Sequence, residues 1–174
     1  MSNFHAYEPA GLELIGQANF STTNSVEISC TPEQLTRALS GVDIWKEFVP
    51  QIHSVEWEGE PPFSEGVRRT VGFGNDIVKE VFFKWDENDG VAFRVVEGTQ
   101  ENVVAMVEHY DFDRIDDTTT RLTWSLAMQM TGLRGLVAPI MAKLAGKEMP
   151  GWLLKLKHRI ESNIDQFNKP AGQA

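Results

Sequence analysis

Only one of the 174 residues is a cysteine, Cys30. A single thiol excludes an intrachain disulfide and any zinc site built from several thiolates. The four histidines (His5, His53, His109 and His158) are scattered, and no pair has a ligand spacing such as His-x-Glu-x-x-His, so we expect no metal and no cofactor. There is no Gly-x-Ser-x-Gly elbow, and no base stands near Cys30 in sequence to activate it. Gly66, Gly72 and Gly74 fit neither the phosphate-loop nor the dinucleotide pattern. No apolar run reaches the ~18 residues of a membrane span. The opening segment has neither the basic nor the apolar region of a secretory leader. These absences lead us to expect a cytoplasmic protein.

Positive charge is also scarce. Sixteen Lys and Arg face 25 Asp and Glu, a net charge of −9. That argues against a nucleic-acid partner, which calls for a basic surface. The deficit is uneven: residues 131–174 hold seven Lys/Arg and three acids, a net +4. A basic helix packed on an acidic sheet accounts for this. A second reading is transient contact of that C-terminal helix with an anionic membrane surface.

What is present fits one globular domain: 41% hydrophobic and 24% charged residues in a chain of single-domain length. Residues 1–20 lack a period and read as a lead-in, frayed or forming a short extra element. A strand follows over Ser21–Ser29. Thr31-Pro32-Glu33 opens a short helix, with threonine as N-cap, proline in the first turn and an acid near the positive end of the dipole. A second short helix carries Ile44, Trp45 and Phe48 and stops before Pro50. Six alternating segments come next, over Ser54–Glu58, Gly66–Phe73, Ile77–Trp85, Val91–Gly98, Asn102–Arg114 and Thr120–Met130. Short turn-like links between them predict an antiparallel meander.

After Gly132 the apolar period lengthens to about 3.6. Leu133, Leu136, Val137, Ile140, Met141 and Leu144 form one stripe; Trp152, Leu153, Leu156, Ile160, Ile164 and Phe167 form another. Pro139 suits only a first turn, so regular helix is expected from about Val137, and Pro150 is expected to kink or break it near Gly146–Gly151. The fold class is α+β, with a seven-stranded antiparallel sheet wrapped around a long C-terminal helix and two short helices after the first strand. The domain spans 21–168, with a C-terminal tail at 169–174.

This order, with Thr31-Pro32-Glu33-Gln34-Leu35, Trp45…Phe48-Val49-Pro50, Gly66-Val67-Arg68-Arg69, Lys79-Glu80-Val81 and Thr120-Arg121-Leu122-Thr123-Trp124, resembles the START-like superfamily. That group, also called SRPBCC or Bet v 1-like, includes polyketide cyclase/dehydrase-type and lipid-transport-type proteins. The resemblance covers roughly residues 20–168. It implies a helix-grip fold with an elongated cavity between sheet and C-terminal helix, but no particular ligand, because the group is diverse in chemistry.

Strand parity nominates residues for that cavity. Leu122, Trp124, Leu126, Met128 and Met130 share one face of the last strand and must point inward, either filling a core or lining a pocket. In the preceding strand Met106, Glu108, Tyr110 and Phe112 share a face. A carboxylate there needs a wet mouth or a partner such as Tyr110, unless a bulge turns it outward. Parity leaves the face of Glu80 open, and the resemblance implies that it points inward beside an inward Arg68. Arg68 and Glu80 are then either an ion pair inside the cavity, with Thr70 nearby, or a surface pair. In the strand between, the register with Phe93 inward is preferred. From the helix, Ile140, Met141, Leu144, Trp152 and Leu156 are expected to complete the wall.

Three functions remain. The favoured one is a non-catalytic binding or carrier protein for a small hydrophobic or amphipathic ligand, such as a lipid, a quinone or a polyketide-like molecule. The first alternative is a polyketide cyclase/aromatase-type enzyme, acting without metal through Glu80, Glu108, Tyr110 or Arg68. The second is a protein-interaction module. We expect a monomer or a small homo-oligomer.

Overall fold

The computed structural model describes residues 3–168; the tail expected at 169–174 lies outside the described residues. The strands are β1 (His5–Ala6), β2 (Phe20–Ile28), β3 (Ile52–Trp57), β4 (Arg68–Phe73), β5 (Asp76–Asp86), β6 (Gly90–Gly98), β7 (Val103–Arg114) and β8 (Thr120–Met130). The helices are α1 (Pro32–Leu39), α2 (Val42–Phe48) and α3 (Gly132–Glu161). The main sheet runs in the order β2-β8-β7-β6-β5-β4-β3, with the two-residue β1 added beside β6. Every pairing is antiparallel, as short hairpin links require.

The one long excursion in the meander is the α1–α2 segment, which takes the chain from the β2 edge to the β3 edge. Its start is fixed by a capping box: Thr31 Oγ1 accepts from the Gln34 backbone N–H, and the Gln34 side chain accepts from the Thr31 N–H. α2 then sinks Trp45 and Phe48 into the core, and the Trp45 indole donates to the Leu39 carbonyl at 2.9 Å. The Asp86–Gly90 turn needs glycine at its end. Gly90 has φ of +110°, and a Cβ there would stand 2.1 Å from the Tyr110 carbonyl oxygen.

Two β-bulges in the β5–β6 ladder re-aim side chains. At Val96 the register shifts so that Val95 lies opposite Glu80 and Gly98 opposite Val78. At Phe83 the shift brings Trp85 to the same side as Phe82, where it packs edge-on at 5.0 Å. Without the bulge, alternation from Phe82 would put Trp85 on the opposite face.

The C-terminal helix departs from expectation. It is unbroken over Gly132–Glu161, with both prolines inside it, and it begins at Gly132 rather than near Val137. Each proline has a glycine four residues before it, Gly135 and Gly146, at the carbonyl the ring crowds and leaves without its helical donor. The Gly135 carbonyl instead accepts from the Asn19 side-chain amide at 3.4 Å. α3 lies against β2, α2 and β8. Its first half meets them through small residues, Ala138 and Ala142 being buried, whereas the stripe running from Leu133 to Leu144 faces outward. Its second half is conventional, with Leu153, Leu156 and Ile160 fully buried. Among the described residues, no helix is long and apolar enough to cross a membrane.

Candidate functional site

Between the concave face of the sheet, α2 and α3 lies a cavity of about 370 Å³. That is within the range of small-molecule sites. Its walls are largely apolar. β7 and β8 contribute Met106, Leu126 and Met128; α3 contributes Met141, Met149 and Trp152; β4 contributes Val71 and Phe73. Thioethers adapt to irregular shapes, so this wall suits guests without one fixed outline.

The polar side chains gather in two places. Asp76, Gln100 and the exposed Arg134 line one end, which we take as the mouth. About 13 Å further along β5, four residues on, sits Glu80. It is 4% exposed and takes the Nε–H of the equally buried Arg69, its partner across the β4–β5 ladder. The guanidinium lies 3.9 Å from the Trp45 ring centre and 4.7 Å from that of Phe93. This aromatic sandwich compensates in part for lost hydration. Arg69 Nη1 is buried and has no hydrogen-bond partner, although the residue lines the cavity. Burial pushes the Glu80 carboxyl above its ordinary range, and the charge and hydrogen bond of Arg69 pull it back.

Beside this pair is a second buried carboxyl. Glu108 Oε2 accepts from the Tyr110 hydroxyl and from the Trp124 indole, each at 2.8 Å. Glu108 and Tyr110 are two apart on β7 and so share a face, and Trp124 is the register partner of Tyr110 on β8. The Tyr110 and Trp124 rings stack at 5.4 Å. Burial pushes Glu108 up to about 7, Glu80 adds to the rise, and the bonds from Tyr110 and Trp124 oppose it. Burial, reinforced by Glu108, holds the Tyr110 phenol well above its ordinary value, so it stays a donor. Near neutral pH, Glu108 can therefore give or take a proton, while Arg69 offers an unused N–H to an acceptor oxygen.

The expected residues divide clearly. Glu80, Phe93, Glu108 and Tyr110 meet at the polar pole with Trp124, while Met106, Leu126, Met128, Met141 and Trp152 line the apolar walls. Arg68 and Thr70 do not reach the cavity. Arg68 is half-exposed on the opposite face, 3.9 Å from Glu58, and Thr70 pairs with Lys79 on that same side. The buried pair is Arg69–Glu80, one residue away from the expected Arg68–Glu80. Parity carried the signal: Arg69 alternates with Val71 and Phe73, the apolar set of β4, whereas Arg68 goes with Thr70 and Gly72. Leu122 and Leu156 are fully buried in the core, away from the cavity wall. Ile140 and Leu144 face outward at 64% and 57% exposure. Among the described residues, no group of three or more His, Cys, Asp or Glu is arranged to hold a metal ion.

A sequence profile described as polyketide cyclase/dehydrase and lipid transport matches residues 19–161. The chain belongs to that family. An uncharacterized protein of Mycobacterium tuberculosis is 32% identical over 126 residues, covering 72% of this chain and 75% of the relative. Among solved structures, a START superfamily protein of Mycobacterium smegmatis superposes with a TM-score of 0.65 at 14% identity, covering 82% of this chain and 97% of that one. The di-domain ARO/CYC protein BexL of the BE-7585A biosynthetic pathway gives 0.63 at 14% identity, covering 82% of this chain and 47% of its own. At these identities the family member shares a fold with both structures, and its chemistry rests on its own cavity.

Proposed function

We propose that this family member binds and carries one small hydrophobic or amphipathic molecule, of lipid, quinone or polyketide-like character. Its oxygen-bearing end lies against Arg69 and Glu108. The observation that carries the reading is the buried, unpartnered Nη1 of Arg69, a residue that lines a largely apolar cavity. An N–H withdrawn from water and left without an acceptor is costly, and a ligand oxygen recovers that cost. The ligand's apolar body occupies the methionine-lined space towards α3, where it displaces water from surface that hydrates poorly.

Native mass spectrometry of the full chain purified from its own host tests this reading. The expected result is one added molecule per chain, displaced by an apolar probe that binds with the same stoichiometry. A chain that always travels at its bare mass and never takes up such a probe refutes it.

One observation favours a second reading, a cyclase/dehydrase-type enzyme. Glu108, raised to about 7 beside a phenol and a free guanidinium N–H, has the properties of a general acid–base group facing an oxyanion donor. Turnover of the co-purified molecule by the parent, lost in Glu108→Gln, separates the enzyme from the carrier.

A further inference from the structure

The first half of α3 packs in an inverted sense. Its small residues face the sheet and its large apolar ones face out: Leu133 is 82% exposed, Leu136 79%, Ile140 64% and Leu144 57%, with Val137 and Met141 beside them. At about 100° per residue these six side chains fall within an arc of about 140°, a single ridge along three turns of helix. The ridge is bordered by cations. Lys143 borders one side and Arg134 the other, Lys147 follows the ridge one turn beyond Lys143, and no Asp or Glu occurs between Gly132 and Lys147. Acids dominate elsewhere, for the whole chain carries −9. The ridge also adjoins the cavity: Met141 belongs to both, and Arg134 stands at the mouth.

The geometry points to this half-helix as a docking surface for an anionic lipid bilayer, which the helix meets lying in the interface with its apolar ridge below the headgroups. An apolar ridge flanked by Lys and Arg matches the two components of such a surface, hydrocarbon and phosphate. Charge argues against a second copy of the chain as occupant. An isologous contact along the ridge would set its three cations against the same three. Docked in this way, the cavity mouth opens against lipid rather than water. The docking itself stands whether or not the cavity carries a ligand.

Flotation of the full chain with vesicles tests the assignment, using phosphatidylcholine alone and phosphatidylcholine mixed with phosphatidylglycerol. We expect association only with the anionic vesicles, weakening as salt is raised. Leu136→Ser combined with Ile140→Ser, and separately Lys143→Gln combined with Lys147→Gln, should each lower partitioning about tenfold or more. The thermal melt and the one-per-chain probe binding should not change, because all four residues are outside the cavity and the core. A parent that ignores phosphatidylglycerol vesicles, or variants that partition as the parent does, overturn the proposal. A parent dimer by light scattering that Leu136→Ser with Ile140→Ser converts to monomer overturns it too, in favour of a second copy. Failure of probe binding alone refutes the carrier reading and leaves the docking intact.

Discussion

Replacing Arg69 by methionine removes one half of a buried ion pair and leaves Glu80 with no counter-charge in an aromatic cage. The pair is almost wholly withdrawn from water, with side-chain exposures of 1% and 4%. Removing one partner from such a pair costs about 3–5 kcal/mol, chiefly through the orphaned charge rather than the lost attraction. In a chain of this length each kcal/mol moves the melting temperature by roughly 2–4 °C, so a drop of about 10 °C at pH 7 is expected. The loss should depend on pH in a definite sense. Burial already raises the Glu80 carboxyl, and Arg69 is what holds it down, so the variant raises it further. A carboxyl whose folded value exceeds its unfolded one favours folding most at low pH and loses that contribution as pH rises through the folded value. Relative to the parent, Arg69→Met should therefore recover on acidification. Arg69→Met combined with Glu80→Leu has no charge to orphan and should melt within about 2 kcal/mol of the parent. Thermal melts by circular dichroism at pH 5 and pH 7 read all three proteins. Equal melting of Arg69→Met and parent at pH 7, or a deficit that is the same at both pH values, would refute the assignment of Arg69 as the partner of a buried glutamate.

Glu108 offers an independent pH test. With its folded value near 7, the parent should lose up to about 3 kcal/mol between pH 4.5 and 7 from this group. Glu108→Gln, which keeps an acceptor for Tyr110 and Trp124, should flatten that part of the profile in urea unfolding followed across pH; an unchanged slope places the titration elsewhere. Met128→Trp should fill the cavity, abolishing uptake of a fluorescent apolar probe while costing only about 1–3 kcal/mol of stability. Retained one-per-chain uptake in that variant refutes the assignment of Met128 to the binding wall.

The sheet was readable because seven segments show an alternating pattern and the links among the last six are short and turn-like. Thr31 and Pro32 marked the start of α1 through groups any helix start needs. Three features escaped for definite reasons. Periodicity identifies a helical stripe without saying which side is buried, and in the first half of α3 the core takes alanines and leaves the leucines outside. Alternation also fails at bulges, whose positions at Phe83 and Val96 depend on the neighbouring strand rather than on local sequence. At Arg68-Arg69 the two adjacent arginines are alike in composition and opposite in direction. Val71 and Phe73 had the information, and the family motif pointed one residue away. Glu108 and Tyr110 were legible as a pair, because two residues apart on a strand already puts them side by side.

The sheet order has a consequence for how the chain is made. β3 through β8 each pair with a neighbour in sequence, so these hairpins can assemble as the polypeptide emerges. β2 is different: among the described residues its only partner in the sheet is β8, with Phe20 opposite Met128. During synthesis the strand made earliest in the main sheet waits, unpaired at its edge, for the strand made last, and α3 has to follow before β2 is covered from above. Until then the nascent chain exposes a template for mispairing with other chains. Closure of the cavity therefore waits until α3 has been made, because α3 supplies Met141, Met149 and Trp152 to its wall.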